Sequence, residues 1–504
     1  MLPTSRWGYK MQGGLCMVTV RKSAPYAMSC AAMLAALLLL PDICSLPLRS
    51  AHSRLFTGDF DAEFWLQYVP VWAAELFVLL ASLLLLKACC FRQTGAWGAF
   101  VAGHKCTLFV LLIALFFCAS NARILLKGGF LGYYSGWDYG DLLAHLQIYG
   151  GRSNLYDSNY PPVATLLYRL FYMFIPALPS AAAGAYGYVL FLFFLGTALP
   201  LFVLLAASAG GTERSRLLLA AACFVSGPVL YVYQRANVAF FALILLLLYL
   251  CCFRSEKRFV REFALLALAL SANIKYYPAV FGMLLLKERR WGDAVRCAAY
   301  GVAMFVLPAL FSPLLAPAAG IAAQNAQLVQ AGFVRDTVQG MQAFTGNGNL
   351  AYLTGVASSS LSLKVRLYNA VLVHLGLPDA LCNALTLLVT LLFFAVTLVL
   401  VLLAEKRYQE LFLLGSLCIF VPTMSFWYSV LFLIPALLCF LQEEQDSVFC
   451  SCAGLLLFCA LFCYAVALSY ALTPDRIWHI LLLYALFAGE VLAAWSRRRT
   501  PARR

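Results

Sequence analysis

An all-α polytopic membrane protein is predicted, and three observations predict it. Of the 504 residues 63% are apolar, only 12% are charged, and the mean hydropathy is +0.85. A soluble chain does not carry that balance. The apolar residues come in runs of roughly 17 to 25, the length a helix needs to cross about 30 Å of hydrocarbon. No series of ten-residue alternating segments is present, so a membrane barrel is excluded.

In order, the runs place candidate spans near 26–47, 66–88, 106–125, 183–208, 217–233, 237–253, 262–274, 277–287, 295–313, 384–404, 408–421, 427–442, 448–471 and 478–496. Several are short, so the expected bundle has about 11–14 transmembrane helices. Lys and Arg number 36 against 22 Asp and Glu, a formal charge of +14. In a soluble protein that excess would suggest nucleic acid; here it is first a topology signal, and no nucleic-acid partner is expected. With a cytosolic N-terminus, 24 of the 36 basic residues fall in cytosolic segments and 12 in the much longer outer ones. Both termini are therefore expected in the cytosol, with Arg497, Arg498, Arg499, Arg503 and Arg504 as the basic tail, and the plasma membrane is the expected location. Arg21 and Lys22 precede the apolar stretch from Ala31 to Leu40, but Pro41 to Cys44 offer no small-x-small cleavage site, so the first span is kept as an anchor.

Eighteen cysteines could suggest a disulfide framework. Cys89, Cys90, Cys251, Cys252, Cys450 and Cys452 lie at predicted cytosolic ends, however, and the outer segments 127–182 and 314–381 contain none. Reduced, apolar-packed thiols are expected. The five histidines are scattered and no metal-ligand spacing occurs, so neither a metal nor another cofactor is expected.

Two outer segments, 126–182 and 314–383, are too long to be mere connections. The first carries Asp138 and Asp141, turns at Gly150 and Gly151, and re-enters apolar sequence at Pro161 and Pro162. An amphipathic helix over 163–178 is expected to lie re-entrant or at the interface, with Tyr168, Phe171, Tyr172 and Phe174 as interfacial aromatics. Other polar residues form short clusters in apolar surroundings: Gln234-Arg235-Ala236-Asn237, Asn273-Ile274-Lys275-Tyr276-Tyr277-Pro278, Gly346-Asn347-Gly348-Asn349, Ser425-Phe426-Trp427-Tyr428 and Asp475-Arg476. The charge-derived topology sets all five on the outer face, beside the Asp138 segment. Each alone reads equally well as a helix-to-helix turn. Together they suggest one outward-opening site.

A basic side chain at a helix break near the headgroups suits phosphate, with Lys a point charge and Arg a bidentate fork. A phosphate at membrane level beside an external Asp points to chemistry on a lipid-linked phosphate. Asp138, with Asp141 as the alternate, is the candidate general base. Lys275, Arg235, Gln234 and Asn237 are candidates for the donor phosphate. Helix N-capping is the competing role for Asp138 and a solvated first-turn position for Asp141.

Asp138, Leu155-Tyr156-Asp157, Tyr160-Pro161-Pro162, Pro228 with Gln234-Arg235-Ala236-Asn237, Lys275-Tyr276-Tyr277-Pro278 and Gly346-Asn347-Gly348-Asn349 occur in an order that resembles glycosyltransferase family 87, the polyprenyl-phosphate-dependent mannosyltransferases of the GT-C type. The likeness covers about 106–440. Two positions depart from it: Ala236 stands where Gly is usual, and Ser425-Phe426-Trp427-Tyr428 lacks the His of the family's Ser-Trp-x-His block. The resemblance implies a GT-C-like helical bundle whose external loops carry short amphipathic helices. It also implies metal-free, inverting transfer of a hexose, with mannose expected, from a polyprenyl-phosphate donor to a lipid or glycan hydroxyl. The interval from Asp138 to Tyr156 fits the family's catalytic Asp better than that from Asp141. Tyr160, Tyr276, Asn347, Asn349, Trp427 and Tyr428 are then expected to line the substrate site. Residues 1–105 form an N-terminal extension with two predicted spans, 106–440 the catalytic domain, and 441–504 a transmembrane hairpin with the basic tail. A transporter or flippase is the competing class. It expects paired halves and midplane ionisable residues, but no internal repeat is found, and the intramembrane carboxylates Glu75 and Glu490 lie at opposite ends of the chain.

Overall fold

The computed structural model describes residues 80, 96–126, 141–142, 161–173, 182–311, 360–370, 372–423, 425–463 and 476–499. Among these the regular elements are all helical and no strand occurs. The α-helices are α1 (Ala96–Gly103), α2 (Lys105–Leu126), α3 (Pro162–Met173), α4 (Ala182–Ser208), α5 (Glu213–Phe224), α6 (Gly227–Arg235), α7 (Ala239–Cys252), α8 (Arg258–Ile274), α9 (Met283–Lys287) and α10 (Trp291–Phe311). They continue as α11 (Leu363–Ala370), α12 (Asp379–Leu403), α13 (Arg407–Phe420), α14 (Ile434–Gln442), α15 (Val448–Phe462) and α16 (Arg476–Arg499). Short 3-10 helices, Tyr277–Gly282 and Trp427–Leu433, run directly into α9 and α14.

Fewer helices among the described residues are membrane-long than the hydropathy runs suggest. Among the described residues three helical stretches are long and apolar enough to cross a membrane: Val189–Ser208, Ala380–Leu403 and His479–Arg498. The bent pair α5 and α6 makes a fourth if taken as one span, with a 57° bend between its halves. The backbone explains the difference. Ser226 is extended and Pro228 enters the first turn of α6, so the run predicted as 217–233 breaks in the middle. Pro278 likewise diverts the run after Lys275 into a 3-10 turn, and the run 427–442 starts as a 3-10 helix. A hydropathy window registers side chains and misses these breaks.

A continuous core runs from Phe109 on α2 to Val491 on α16, so α15 and α16 share it with the helices before residue 440. Phe412, Phe440, Phe458 and Phe487 bring α13, α14, α15 and α16 together through ring contacts of 5.0 to 6.2 Å. The outer faces of α4 and α12 expose Phe191, Leu195, Leu199, Val203, Leu391, Val396 and Val399, as lipid-facing surfaces do. The aromatic residues of α3 are a correction to the sequence reading. Tyr168 is fully buried, and Phe171 packs on Phe193 and Phe241 at 6.1 and 6.2 Å, so both face the bundle while Leu170 faces out. Tyr172 and Phe174 lie outside the described side chains.

One end of the bundle is an ion-pair layer. Arg254 pairs with Glu288 at 2.5 Å, Lys287 with Glu410 at 2.6 Å and Arg407 with Glu410 at 2.8 Å. Arg254, Arg290 and Arg407 all lie over the buried Phe253 ring, 5.3 to 5.7 Å from its centre. Arg254, Lys287, Glu288, Arg290 and Arg407 come from the turns assigned to the cytosol by charge, and Glu410 from the helix that follows. Helices α7 and α8 run between this layer and the opposite end.

At that opposite end Gly227 permits a close crossing. A Cβ built there would lie 2.5 Å from the Cys463 carbonyl oxygen and 2.9 Å from Cη2 of Trp427. Gly227→Ala is expected to lower stability by about 1–3 kcal/mol, because neither backbone nor indole can yield cheaply. Thermal unfolding of the detergent-solubilised full chain checks this.

Candidate active site

Three helix breaks meet at the end remote from the ion-pair layer, and each offers side chains that a continuous helix would not. The first follows α6. Ala236 adopts a left-handed conformation, φ 47° and ψ 46°, and its N–H and that of Asn237 close the helix on the Tyr233 and Val232 carbonyls. This geometry explains why Gly is usual at the position in the resembling family: only Gly takes it without steric cost. The turn directs Arg235 and Asn237 toward Asp141, which with Leu142 is helical.

Arg235 grips Asp141 with both arms, Nε donating to Oδ2 at 2.9 Å and Nη2 to Oδ1 at 2.5 Å. Asn237 Nδ2 donates to Asp141 Oδ2 at 2.7 Å, while its Oδ1 accepts the Ala239 N–H at 2.9 Å and so caps the start of α7. Arg235 and Asp141 are only 18% and 14% exposed. Below the guanidinium lies Tyr231, one helical turn back, with its ring centre 5.8 Å from Arg235 Cζ and 5.3 Å from the Trp427 ring. Sequence reasoning missed Tyr231, although its i, i+4 spacing to Arg235 is the signal for such a stack.

The second break is Lys275, the residue that ends α8. Its backbone is extended, its N–H bonds to Ser271 O at 3.0 Å, and Pro278 prevents the helix from continuing. Lys275 is 7% exposed, and its Nζ lies 5.0 Å from the centre of the Tyr428 ring. Tyr428 belongs to the third break, where the chain leaves extended Phe426 for the 3-10 helix Trp427–Leu433. This segment is tied to residues 360–361 by Leu361 N–H to Ser425 O at 2.7 Å and Ser360 Oγ to the same oxygen at 3.2 Å.

Charges in the cluster act on one another. Burial works to raise the Asp141 carboxyl, but hydrogen bonds from Arg235 and Asn237, with the charges of Arg235 and Lys275, hold it below the usual carboxylate range. Burial lowers Lys275 to about 7, with Asp141 opposing that shift and Arg235 reinforcing it. Lys275 is thus poised between ammonium and amine near neutral pH.

Of the residues singled out from sequence, the structure brings together Asp141, Arg235, Asn237, Lys275, Trp427 and Tyr428, with Tyr276 adjoining Lys275. Gln234 ends α6 beside Arg235, but its side chain lies outside the described ones. Asp138, Tyr160, Asn347 and Asn349 also lie outside the described residues. Asn273 turns elsewhere, donating to Ala269 O and Gly301 O at 2.9 and 3.0 Å and so joining α8 to α10. Glu490 is bonded by Tyr408 Oη at 2.8 Å inside the bundle. Among the described residues no group of three or more His, Cys, Asp or Glu is arranged to hold a metal.

Two substitutions test this geometry by thermal unfolding. Ala236→Gly is expected to stabilise the protein by about 1 kcal/mol, because it removes the left-handed strain. Asp141→Ala is expected to destabilise it by roughly 3 kcal/mol by stranding the Arg235 guanidinium. The double variant Asp141→Ala/Arg235→Met should regain most of that loss. The Asp141 contribution is present above the pKa of an unfolded carboxyl, near 4, and should fade as pH falls below it.

The family model described as Glycosyltransferase family 87 matches residues 159–426, more than half of the chain. The matched stretch includes the Arg235, Asn237 and Lys275 breaks and ends at Phe426; Asp138 and Asp141 precede it. No curated protein and no solved structure matches. The long apolar helices and the family together make this a membrane glycosyltransferase, and the chain belongs to glycosyltransferase family 87.

Proposed function

We propose that the protein transfers a hexose, mannose being the expected one, from a polyprenyl-phosphate sugar to a hydroxyl of a lipid or glycan at the outer face of the plasma membrane, with both termini in the cytosol. The observation that carries this reading is the convergence of Asp141, Arg235, Asn237 and the buried Lys275 at one end of an apolar bundle. The level of that end supports a lipid-borne donor. Helices α7 and α8 have 14 and 17 residues, roughly 21 and 25 Å of rise, less than the ~30 Å of hydrocarbon. With the ion-pair layer at the cytosolic headgroups, helices this short would end before the opposite headgroups, so a lipid-borne phosphate would meet the breaks by being drawn toward the bundle.

The geometry also divides the work between residues. A carboxylate forked by Arg235 and bonded by Asn237 is a weak base, so Asp141 serves as a partner for the ends of α6 and α7 rather than as the base. Asp138, three residues earlier, is the general base. It takes the acceptor hydroxyl proton as that oxygen attacks the anomeric carbon from the face opposite the phosphate, with inversion. The bond from anomeric carbon to phosphate oxygen breaks, and polyprenyl phosphate leaves with its charge met by Lys275. Arg235, with two donors already on Asp141, acts chiefly by keeping the site electropositive.

Asp138→Asn should leave thermal stability unchanged and lower kcat by about 100-fold or more, measured with radiolabelled polyprenyl-phosphate mannose and related donors. Full activity in that variant would dismiss Asp138 as the base. Because donor phosphate needs the ammonium form of Lys275, the donor KM should rise about tenfold per pH unit above 7 while kcat changes less. Lys275→Arg should flatten this profile, since a guanidinium keeps its proton; an equally steep profile in Lys275→Arg would rule out Lys275 as its source.

A further inference from the structure

Buried serine and threonine hydroxyls in this bundle usually bond to a backbone carbonyl. Thr197 Oγ1 donates to Phe193 O at 2.7 Å, Ser226 Oγ to Cys223 O at 2.6 Å, Ser271 Oγ to Ala242 O at 2.7 Å, and Thr397 Oγ1 to Phe393 O at 2.7 Å. Four do not. Among the described residues, the hydroxyls of Ser362, Thr423, Ser425 and Ser429 are buried without a protein hydrogen-bond partner, and each residue is at most 2% exposed. They are the serine and threonine side chains in that condition among the described residues, and all come from two segments joined by the Leu361 N–H to Ser425 O bond. An unmatched buried hydroxyl costs about 1–3 kcal/mol. Four on two joined segments set these apart, because the other buried serine and threonine hydroxyls among the described residues are all paired.

Their place suggests their use. Tyr428, whose ring lies 5.0 Å from Lys275 Nζ, sits in sequence between Ser425 and Ser429. Trp427 beside it packs on Tyr231 under Arg235. The hydroxyl group of residues is therefore continuous with the cationic cluster assigned to phosphate. Serine and threonine hydroxyls both donate and accept, which matches the hydroxyls of a sugar ring.

We propose that Ser362, Thr423, Ser425 and Ser429 form a polyol subsite that takes the hydroxyl groups of a hexosyl unit, beside the phosphate site at Lys275. The proposal rests on the glycosyltransferase reading and deepens it by placing sugar specificity on the segment around 423–429. Both a donor sugar and an acceptor glycan present this chemistry.

The test compares the full-length wild type with Ser425→Ala, Ser429→Ala and the Thr423→Val/Ser425→Ala/Ser429→Ala triple variant in detergent. Thermal shifts are measured with polyprenyl-phosphate mannose, bare polyprenyl phosphate and methyl α-mannoside, and transfer is assayed in the same preparations. Without ligand the variants should be as stable as the wild type or more so, since each removes an unpaired buried polar group. In wild type the sugar-bearing lipid should stabilise more than the bare lipid if the subsite takes the donor sugar, and methyl α-mannoside should stabilise if it takes an acceptor. Each single change should weaken that sugar-dependent binding by roughly three- to tenfold, with binding of bare polyprenyl phosphate unchanged. Stable variants that keep the whole sugar-dependent shift overturn the subsite, as does a wild type in which neither sugar arm exceeds its control; either result would show that water alone satisfies these hydroxyls. A wild type with hydroxyl-dependent sugar binding but no transfer from any donor would sink the transferase reading and leave the subsite standing.

Discussion

The bidentate bond from Arg235 to Asp141 organises the end of the bundle remote from the ion-pair layer, because a guanidinium and a carboxylate that are both largely buried are costly to separate. Separated, each would lose a bidentate counter-charge in largely buried surroundings, at a cost of several kcal/mol. Held together, they join a residue from the segment before α3 to the end of α6. Asn237 extends the bond into the start of α7 by serving the carboxylate with its amide nitrogen and the helix with its amide oxygen. Where these helices end and where the charges converge are thus parts of one arrangement.

The helix breaks follow from the same constraint. In an apolar bundle each backbone group freed at a break needs a partner. The chain meets this with the left-handed Ala236 closure, the Lys275 N–H returned to Ser271, and the Ser425 carbonyl shared by Leu361 and Ser360. Each break interrupts an otherwise apolar run and admits polar side chains at the end of the bundle remote from the ion-pair layer. At the other end, Arg254, Lys287, Arg290 and Arg407 are matched by carboxylates and by the Phe253 ring, so that layer closes the bundle. Among the described residues the basic side chains thus divide into an ion-paired layer at one end and a few cations at the other, with Arg235 and Lys275 foremost.

Much of the site was legible as sequence because a polar cluster inside an apolar run is conspicuous. Arg235, Asn237, Lys275, Trp427 and Tyr428 all stood out this way. The role of Arg235 did not, since its carboxylate lies 94 residues away and no local spacing reveals the pair. The inward turn of Tyr168 and Phe171 was also illegible. In a membrane protein lipid and core are both apolar, so amphipathicity cannot say which of them an aromatic face meets. The four unpaired hydroxyls at Ser362 and around Ser425 were equally hidden, because serine looks the same in sequence whether or not a carbonyl answers it.

By itself the sequence determined the all-helical membrane class, the family, and the polar positions that interrupt its apolar runs. Those properties are summed over composition, run length and motif order, which survive without coordinates. Tertiary structure decided which runs stay straight long enough to span, which carboxylate Arg235 holds, and which buried serine and threonine hydroxyls lack a carbonyl partner. Each of these depends on backbone direction at a break and on the meeting of segments far apart in the chain. The energy of a buried charge or hydroxyl is set by the atoms within about 3 Å of it, and only the folded chain brings those atoms there.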